Sequence, residues 1–187
     1  MIKKIIVIFT FLTFSLPLKA NFKENIILNL KKTNNLAFYF KQVIEEKTED
    51  GECTIKYPKK IFCTYNDINK KIIVSNGKSL VIKFKKNNQY YLYPLKRTPL
   101  EFILDKDYLI NEIKKLNGRI IDDKYINFTL KNNDYKINIF FNKDNLILVG
   151  WQTEDVYQNL VITFISKVKI NQKIKENLFK LPEMNKN

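Results

Sequence analysis

The chain has 187 residues, with 33 lysines and arginines against 19 aspartates and glutamates, a formal net charge of +14. It has no histidine, which excludes Ser-His-Asp and Cys-His catalysis and His-ligated zinc. Its glycines, at 51, 77, 118 and 150, are too dispersed for a P-loop or a dinucleotide fingerprint.

Met1 to Ala20 reads as a secretory signal peptide. Lys3 and Lys4 form a positive start, Ile5 to Leu16 an apolar run, and Pro17 a break before Leu18-Lys19-Ala20. The run is short for a transmembrane helix; an uncleaved anchor is the alternative. No cysteine follows it, which excludes a lipobox anchor. The expected product is an exported single domain over residues 21–187, with a formal charge of +11 once Lys3, Lys4 and Lys19 are gone.

Phe22 to Lys32 is expected to be a helix, with Phe22, Ile26, Ile27 and Leu30 on one face. Short apolar runs follow: Leu36–Glu45, Gly51–Tyr57, Lys60–Asn66, Lys71–Ser75, Ser79–Lys85 and Gln89–Pro94. Turn signals divide them, Asn76-Gly77 being the strongest. Thr98-Pro99-Leu100-Glu101 reads as a capping box with proline at the first helical position. Asp105 stops this helix. Asp107 is expected to cap a second, which Asn117-Gly118 ends. Then come Arg119–Asp122, Tyr125–Lys131, Tyr135–Phe141, Leu146–Gln152 and Asn159–Ile170, punctuated by Asn132-Asn133 and Asn142 to Asn145.

The expected fold class is mainly β (α+β): an incomplete antiparallel β-barrel of about eleven strands with an α-helical lid. Alternation assigns the inner wall. The candidate cavity wall is Leu36, Phe38 and Phe40, then Ile61, Cys63 and Tyr65, then Leu80, Ile82 and Phe84. The lid set is Leu100, Phe102, Ile103, Ile110 and Ile113. The bland alternative is that all of these are ordinary core. Cys53 and Cys63 flank Tyr57-Pro58-Lys59 symmetrically, so a hairpin there can bring them face to face in an exported protein. Two small core thiols are the alternative.

The order of motifs resembles the LolA family of periplasmic lipoprotein carriers. Phe40-Lys41-Gln42 is similar to its F-x-Q strand end, and Gly51 with Ile55-Lys56-Tyr57-Pro58 to its glycine and K-R-P segment. Val74-Ser75-Asn76-Gly77-Lys78-Ser79-Leu80 resembles its V-S-D-G-K-x-L hairpin, and Thr98-Pro99-Leu100 its T-P-L helix start. Asp155-Val156-Tyr157-Gln158-Asn159 and Phe179-Lys180-Leu181-Pro182 are similar to its D-x-Q-G-N and F-x-x-P. The resemblance implies a half-barrel with a helical lid, makes the candidate wall an acyl-chain cavity, and implies a non-catalytic activity without cofactor or metal. Such a carrier accepts acylated lipoproteins from an inner-membrane lipoprotein-releasing ABC transporter and delivers them to an outer-membrane receptor. It acts as a monomer with no nucleic-acid partner. The family often has an arginine before the proline that contributes to lid closure; here Tyr57 stands there, with Lys56 beside it. A family cavity aromatic falls near Cys63.

Three other readings compete. A glycosidase needs two convergent carboxylates, and Glu45-Glu46 and Asp122-Asp123 are adjacent pairs whose side chains point apart on a strand, while Asp105 and Asp107 mark helix boundaries. Lys83 to Lys86 beside Tyr90, Tyr91 and Tyr93 suit a binder of anionic lipid or glycolipid. An envelope-stress sensor on the same scaffold is the third.

Overall fold

The computed structural model describes residues 22–131, 135–155 and 158–184. The signal-peptide reading of Met1–Ala20, the Asn132-Asn133 turn and the Val156-Tyr157 part of one motif lie outside them.

Helix α1 (Phe22–Lys32) opens the described chain and buries Ile26, Ile27 and Leu30. Six strands follow: β1 (Asn35–Ile44), β2 (Lys47–Lys56), β3 (Lys60–Tyr65), β4 (Lys71–Asn76), β5 (Ser79–Phe84) and β6 (Tyr90–Pro94). Helices α2 (Leu100–Leu104) and α3 (Lys106–Lys115) interrupt the series. It resumes with β7 (Arg119–Ile121), β8 (Tyr125–Lys131), β9 (Lys136–Asn142), β10 (Leu148–Glu154) and β11 (Leu160–Ile170). The strands form one antiparallel sheet in the order β6-β5-β4-β3-β2-β1-β11-β10-β9-β8-β7. The barrel is therefore open, with β6 and β7 as its edges. The pairing of β1 with β11 joins the two meanders, Phe40 standing opposite Ile165.

The helices bury the inner face of this sheet. Ile26, Leu104, Leu109 and Ile113 pack in one core with Phe38, Ile55, Phe128, Ile139, Phe141 and Trp151. Burial of apolar side chains on this scale is the main source of stability. Among the described residues no helix is long and apolar enough to cross a membrane.

Several local expectations change. The β1–β2 connection is a two-residue turn at Glu45-Glu46, with Glu45 at φ 52°, so Gly51 lies inside β2 rather than at its start. It stands opposite Phe40 in the pairing, and a Cβ on it would come within 2.0 Å of the Thr64 carbonyl oxygen. Thr98 does not cap α2: its hydroxyl donates to the Leu95 carbonyl at 2.8 Å, and Glu101 turns to a lysine instead. Asp105, not Asp107, caps α3, accepting from the Tyr108 N–H at 3.0 Å. Helix α3 ends at Lys115, and Leu116 rather than Asn117-Gly118 is its extended C-cap. Asp122 and Asp123, both at positive φ, form the β7–β8 turn.

The outer face is partly covered as well, which the alternation alone does not show. The turn Glu176–Phe179 lies against β3 and β4, with Phe179 buried. Ile72, Val74 and Val81, which point outward, are buried there. Lys56 pairs with Glu176 at 2.9 Å, which holds the Glu176 carboxyl below its ordinary range.

Candidate functional site

Between the inner face and α2 runs an apolar groove. Its enclosed part, about 140 Å³, is lined from β1 by Phe38 and Phe40, from β3 by Ile61, Cys63 and Tyr65, from β4 by Ile73 and from β10 by Trp151. Leu100 of α2 closes it from above. The strand pairings explain the convergence: Phe38 stands opposite Cys53, Cys53 opposite Cys63, Cys63 opposite Ile73 and Ile73 opposite Ile82. The wider part, about 420 Å³, continues over Ile44, Ile82, Phe84, Tyr91 and Tyr93 toward the β6 edge. Both parts share Gln42, Tyr65 and Ile73, so they adjoin along one channel-shaped groove.

Phe40 and Tyr65 pack edge to face at 4.8 Å, and Phe38 and Trp151 at 6.3 Å. The Lys71 ammonium lies 3.8 Å from the Tyr65 ring centroid and pairs with Glu49 at 2.5 Å. Burial, with Glu49 and Asp67 adding to it, pushes the Tyr65 hydroxyl pKa far up, so this ring stays neutral. Gln42, Glu49, Lys71 and Gln89 also line the wider part, Lys71 pairing with Glu49, and the Gln42 amide donates to the Thr163 hydroxyl at 3.1 Å.

Of the candidate wall, Phe38, Phe40, Ile61, Cys63, Tyr65, Ile82 and Phe84 line the channel. Leu36 does not; it lines a separate cavity of about 320 Å³ under α1. Leu80 is buried in the core and lines neither part of the channel. Of the candidate lid, only Leu100 faces the enclosed part. Ile103, Ile110 and Ile113 are core residues, and the Phe102 ring packs at a tilt against Tyr108 at 5.0 Å and Tyr135 at 5.8 Å. Cys53 and Cys63 are joined in a disulfide that lines the enclosed part.

Sequence reasoning missed Ile73 and Trp151, and it missed the lid fastening. Lys59, one residue beyond Pro58, reaches Glu101 at 2.7 Å and Asp105 at 3.2 Å, while its backbone N–H donates to the Leu104 carbonyl at 2.8 Å. The Glu101 hydrogen bond, followed by that to Asp105, raises the Lys59 pKa above its ordinary value. Tyr57 instead turns inward. It is buried, and its hydroxyl has no hydrogen-bond partner among the described residues. The lid is also tied to α1: the Lys106 ammonium donates to the Thr33 carbonyl at 2.9 Å, and Lys23 to the Leu116 carbonyl at 3.2 Å.

The carboxylate pairs do not assemble a catalytic site; Glu45-Glu46 and Asp122-Asp123 occupy separate turns. Among the described residues no group of three or more Cys, Asp or Glu could hold a metal.

The family model described as outer membrane lipoprotein carrier protein LolA matches residues 31–182. The chain belongs to the LolA family. This is a family of periplasmic, non-enzymatic carriers, with lipoprotein as the implied cargo. No curated protein matches this LolA-family chain. Its fold is similar to that of an uncharacterized conserved protein from Thermus thermophilus, at TM-score 0.52 and 8% identity over 86% of this chain and 92% of that one. A LolA superfamily protein from Nitrosomonas europaea matches at TM-score 0.46 and 10% identity, over 85% of this chain and 97% of that one. A chain of the Pseudomonas aeruginosa MucA/MucB complex matches at TM-score 0.47 and 10% identity, over 86% of this chain and 60% of that one.

Proposed function

We propose that this protein binds the acyl chains of lipoproteins released from the inner membrane and carries them to the outer membrane. The observation that supports it best is the largely apolar groove running from Leu100 toward the β6 edge, under a lid held by Lys59, Lys106 and Lys23.

Each acyl methylene taken out of water is worth roughly 0.8 kcal/mol, so a triacylated cargo cannot cross an aqueous compartment unshielded. A carrier need only approximate the membrane's own environment, so that loading and delivery are both nearly neutral. The enclosed part, about 140 Å³, holds only about five water-sized groups. Loading therefore requires α2 to lift, which exposes the Phe38–Trp151 wall to the cargo. The fastening suits reversibility. Lys59, Glu101 and Asp105 are all partly exposed, and such ion pairs are worth about 1 kcal/mol or less. Lifting α2 also uncovers the buried Ile103 and Leu104, at about 1.5–3 kcal/mol each, so several methylenes of acyl chain must enter the channel to offset it. In the empty protein the lid hides the apolar wall from water.

On this reading the chain is exported through its N-terminal segment, and the Cys53–Cys63 disulfide forms in the oxidising periplasm. An inner-membrane ABC transporter loads it and an outer-membrane receptor unloads it. The test is a release assay: the protein beginning at Asn21 is added to spheroplasts carrying labelled lipoproteins. A one-to-one soluble complex is the expected result. Folded protein with an intact transporter and no release would sink the carrier reading.

A further inference from the structure

The sheet edge formed by β4, β5 and β6 carries a charge pattern that the channel does not use. Between Asp67 and Glu101 the sequence has seven lysines and Arg97, and no carboxylate. Lys71 is met by Glu49 from β2. Lys85 and Lys86 stand exposed in the turn before β6, and Lys96 and Arg97 stand exposed just after it. None of these four is in an ion pair among the described residues.

The strand between these cations is Tyr90-Tyr91-Leu92-Tyr93-Pro94, with Tyr91 42%, Leu92 55% and Tyr93 42% exposed. Pairing with β5 sets Tyr91 and Tyr93 opposite Ile82 and Leu80, on the inner face, and Tyr90 and Leu92 opposite Lys83 and Val81, on the outer face. Amphipathic rings and a leucine thus project from both faces of one edge, with cations at each end. Tyrosine and lysine of this arrangement settle at the headgroup level of a bilayer, and anionic lipid attracts each cation near its surface.

The other occupant such an edge invites is an added peptide strand. This edge is poorly suited to one. It is five residues long, ends in Pro94 and is flanked by lysines, all of which discourage strand addition.

We propose that β6, with Lys85, Lys86, Lys96 and Arg97, is a docking surface for an anionic phospholipid bilayer. Docking there sets the open end of the channel, which Tyr91 and Tyr93 line, against the membrane. The surface acts on bare lipid, so it stands or falls independently of the cargo.

The test uses the protein beginning at Asn21, which contains every described element, and vesicles of phosphatidylcholine with or without phosphatidylglycerol. Co-sedimentation with the phosphatidylglycerol vesicles alone, abolished by salt, is expected. Lys85→Ala/Lys86→Ala should weaken it by about five-fold per lysine. Both residues lie in a solvated turn, so the melting curve should not change. Leu92→Ala should weaken binding to the same vesicles. Lys124→Ala/Lys131→Ala removes the same charge beside the opposite edge and should leave binding intact. Equal losses from the two lysine pairs, or equal binding to both kinds of vesicle, would overturn the proposal. Capture of a polyglutamate peptide with no vesicle binding would also overturn it.

Discussion

Lys59 Nζ lies 2.7 Å from Glu101 Oε1, which ties the β2–β3 turn to the first turn of α2. The same ammonium reaches Asp105, the residue that ends α2 and caps α3. One side chain therefore fixes both ends of the lid helix above Leu100. Lys59→Met keeps much of the aliphatic stem and removes the charge. It should lower stability by about 1 kcal/mol, because the group is partly exposed. It should also raise the binding of an apolar fluorescent dye, since α2 lifts more often. An unchanged dye signal would show that the other lid contacts, from the Lys59 N–H, Lys106 and Lys23, hold the lid without the ion pair.

The same contact has a pH signature. The Lys59 pKa is raised in the folded state, chiefly by Glu101. Its stabilisation is therefore complete below the unfolded value of about 10.5 and is lost as pH rises through the higher folded value. Melting temperatures of the wild type and Lys59→Met, compared from neutral to strongly alkaline pH, should differ by a constant amount and then converge. A gap that narrows well below the unfolded lysine value would contradict this.

Much of this architecture is legible in the sequence. The Asn-rich turns and period-two runs mark the strands, and Leu36, Phe38 and Phe40 share a face as alternation requires. What alternation misses has physical causes. A bulge between Leu148 and Gly150 shifts the β10 register, so Leu148 and Trp151, three apart, both face inward. Lys59 and Glu101 are 42 positions apart, and nothing local links them. That long-range pair also undoes the expected capping box, because Glu101 is engaged by Lys59. The buried outer residues Val74 and Val81 depend on a C-terminal segment about a hundred positions away folding back over them.

Tyr57 occupies the position before Pro58, and its hydroxyl fastens nothing. Its hydroxyl is buried without a partner, and burial pushes its pKa well up. A desolvated hydroxyl with no hydrogen bond costs about 1 kcal/mol or more. Tyr57→Phe should therefore raise stability by about that amount in denaturant unfolding. The ring stays in the core, and the Lys106 ammonium 5.8 Å from its centroid still has an aromatic face. A loss of stability would mean that the oxygen is hydrated in solution.

The Cys53–Cys63 bridge spans a separation of ten residues within one hairpin. Closing a loop of that size in the unfolded chain is worth about 3 kcal/mol. Cys53→Ala/Cys63→Ala should lose about that much in a denaturant titration. A reductant should have the same effect on the wild type and none on the variant.

Ile73 separates a channel reading from a core reading. It is only half-buried, and it lines both the enclosed part and the wider part toward β6. Ile73→Trp fills the junction, with space on the open side for the larger ring, so stability should fall by less than about 3 kcal/mol. Acyl binding should suffer far more. Two methylenes kept out of the channel already cost about ten-fold in affinity. A fluorescent fatty acid titrated into the variant should bind at least that much more weakly than into the wild type. Leu36→Phe, which fills the separate cavity under α1, should leave that affinity unchanged. Equal affinity for Ile73→Trp and the wild type would place the acyl chain elsewhere and leave the Phe38–Trp151 wall as plain core.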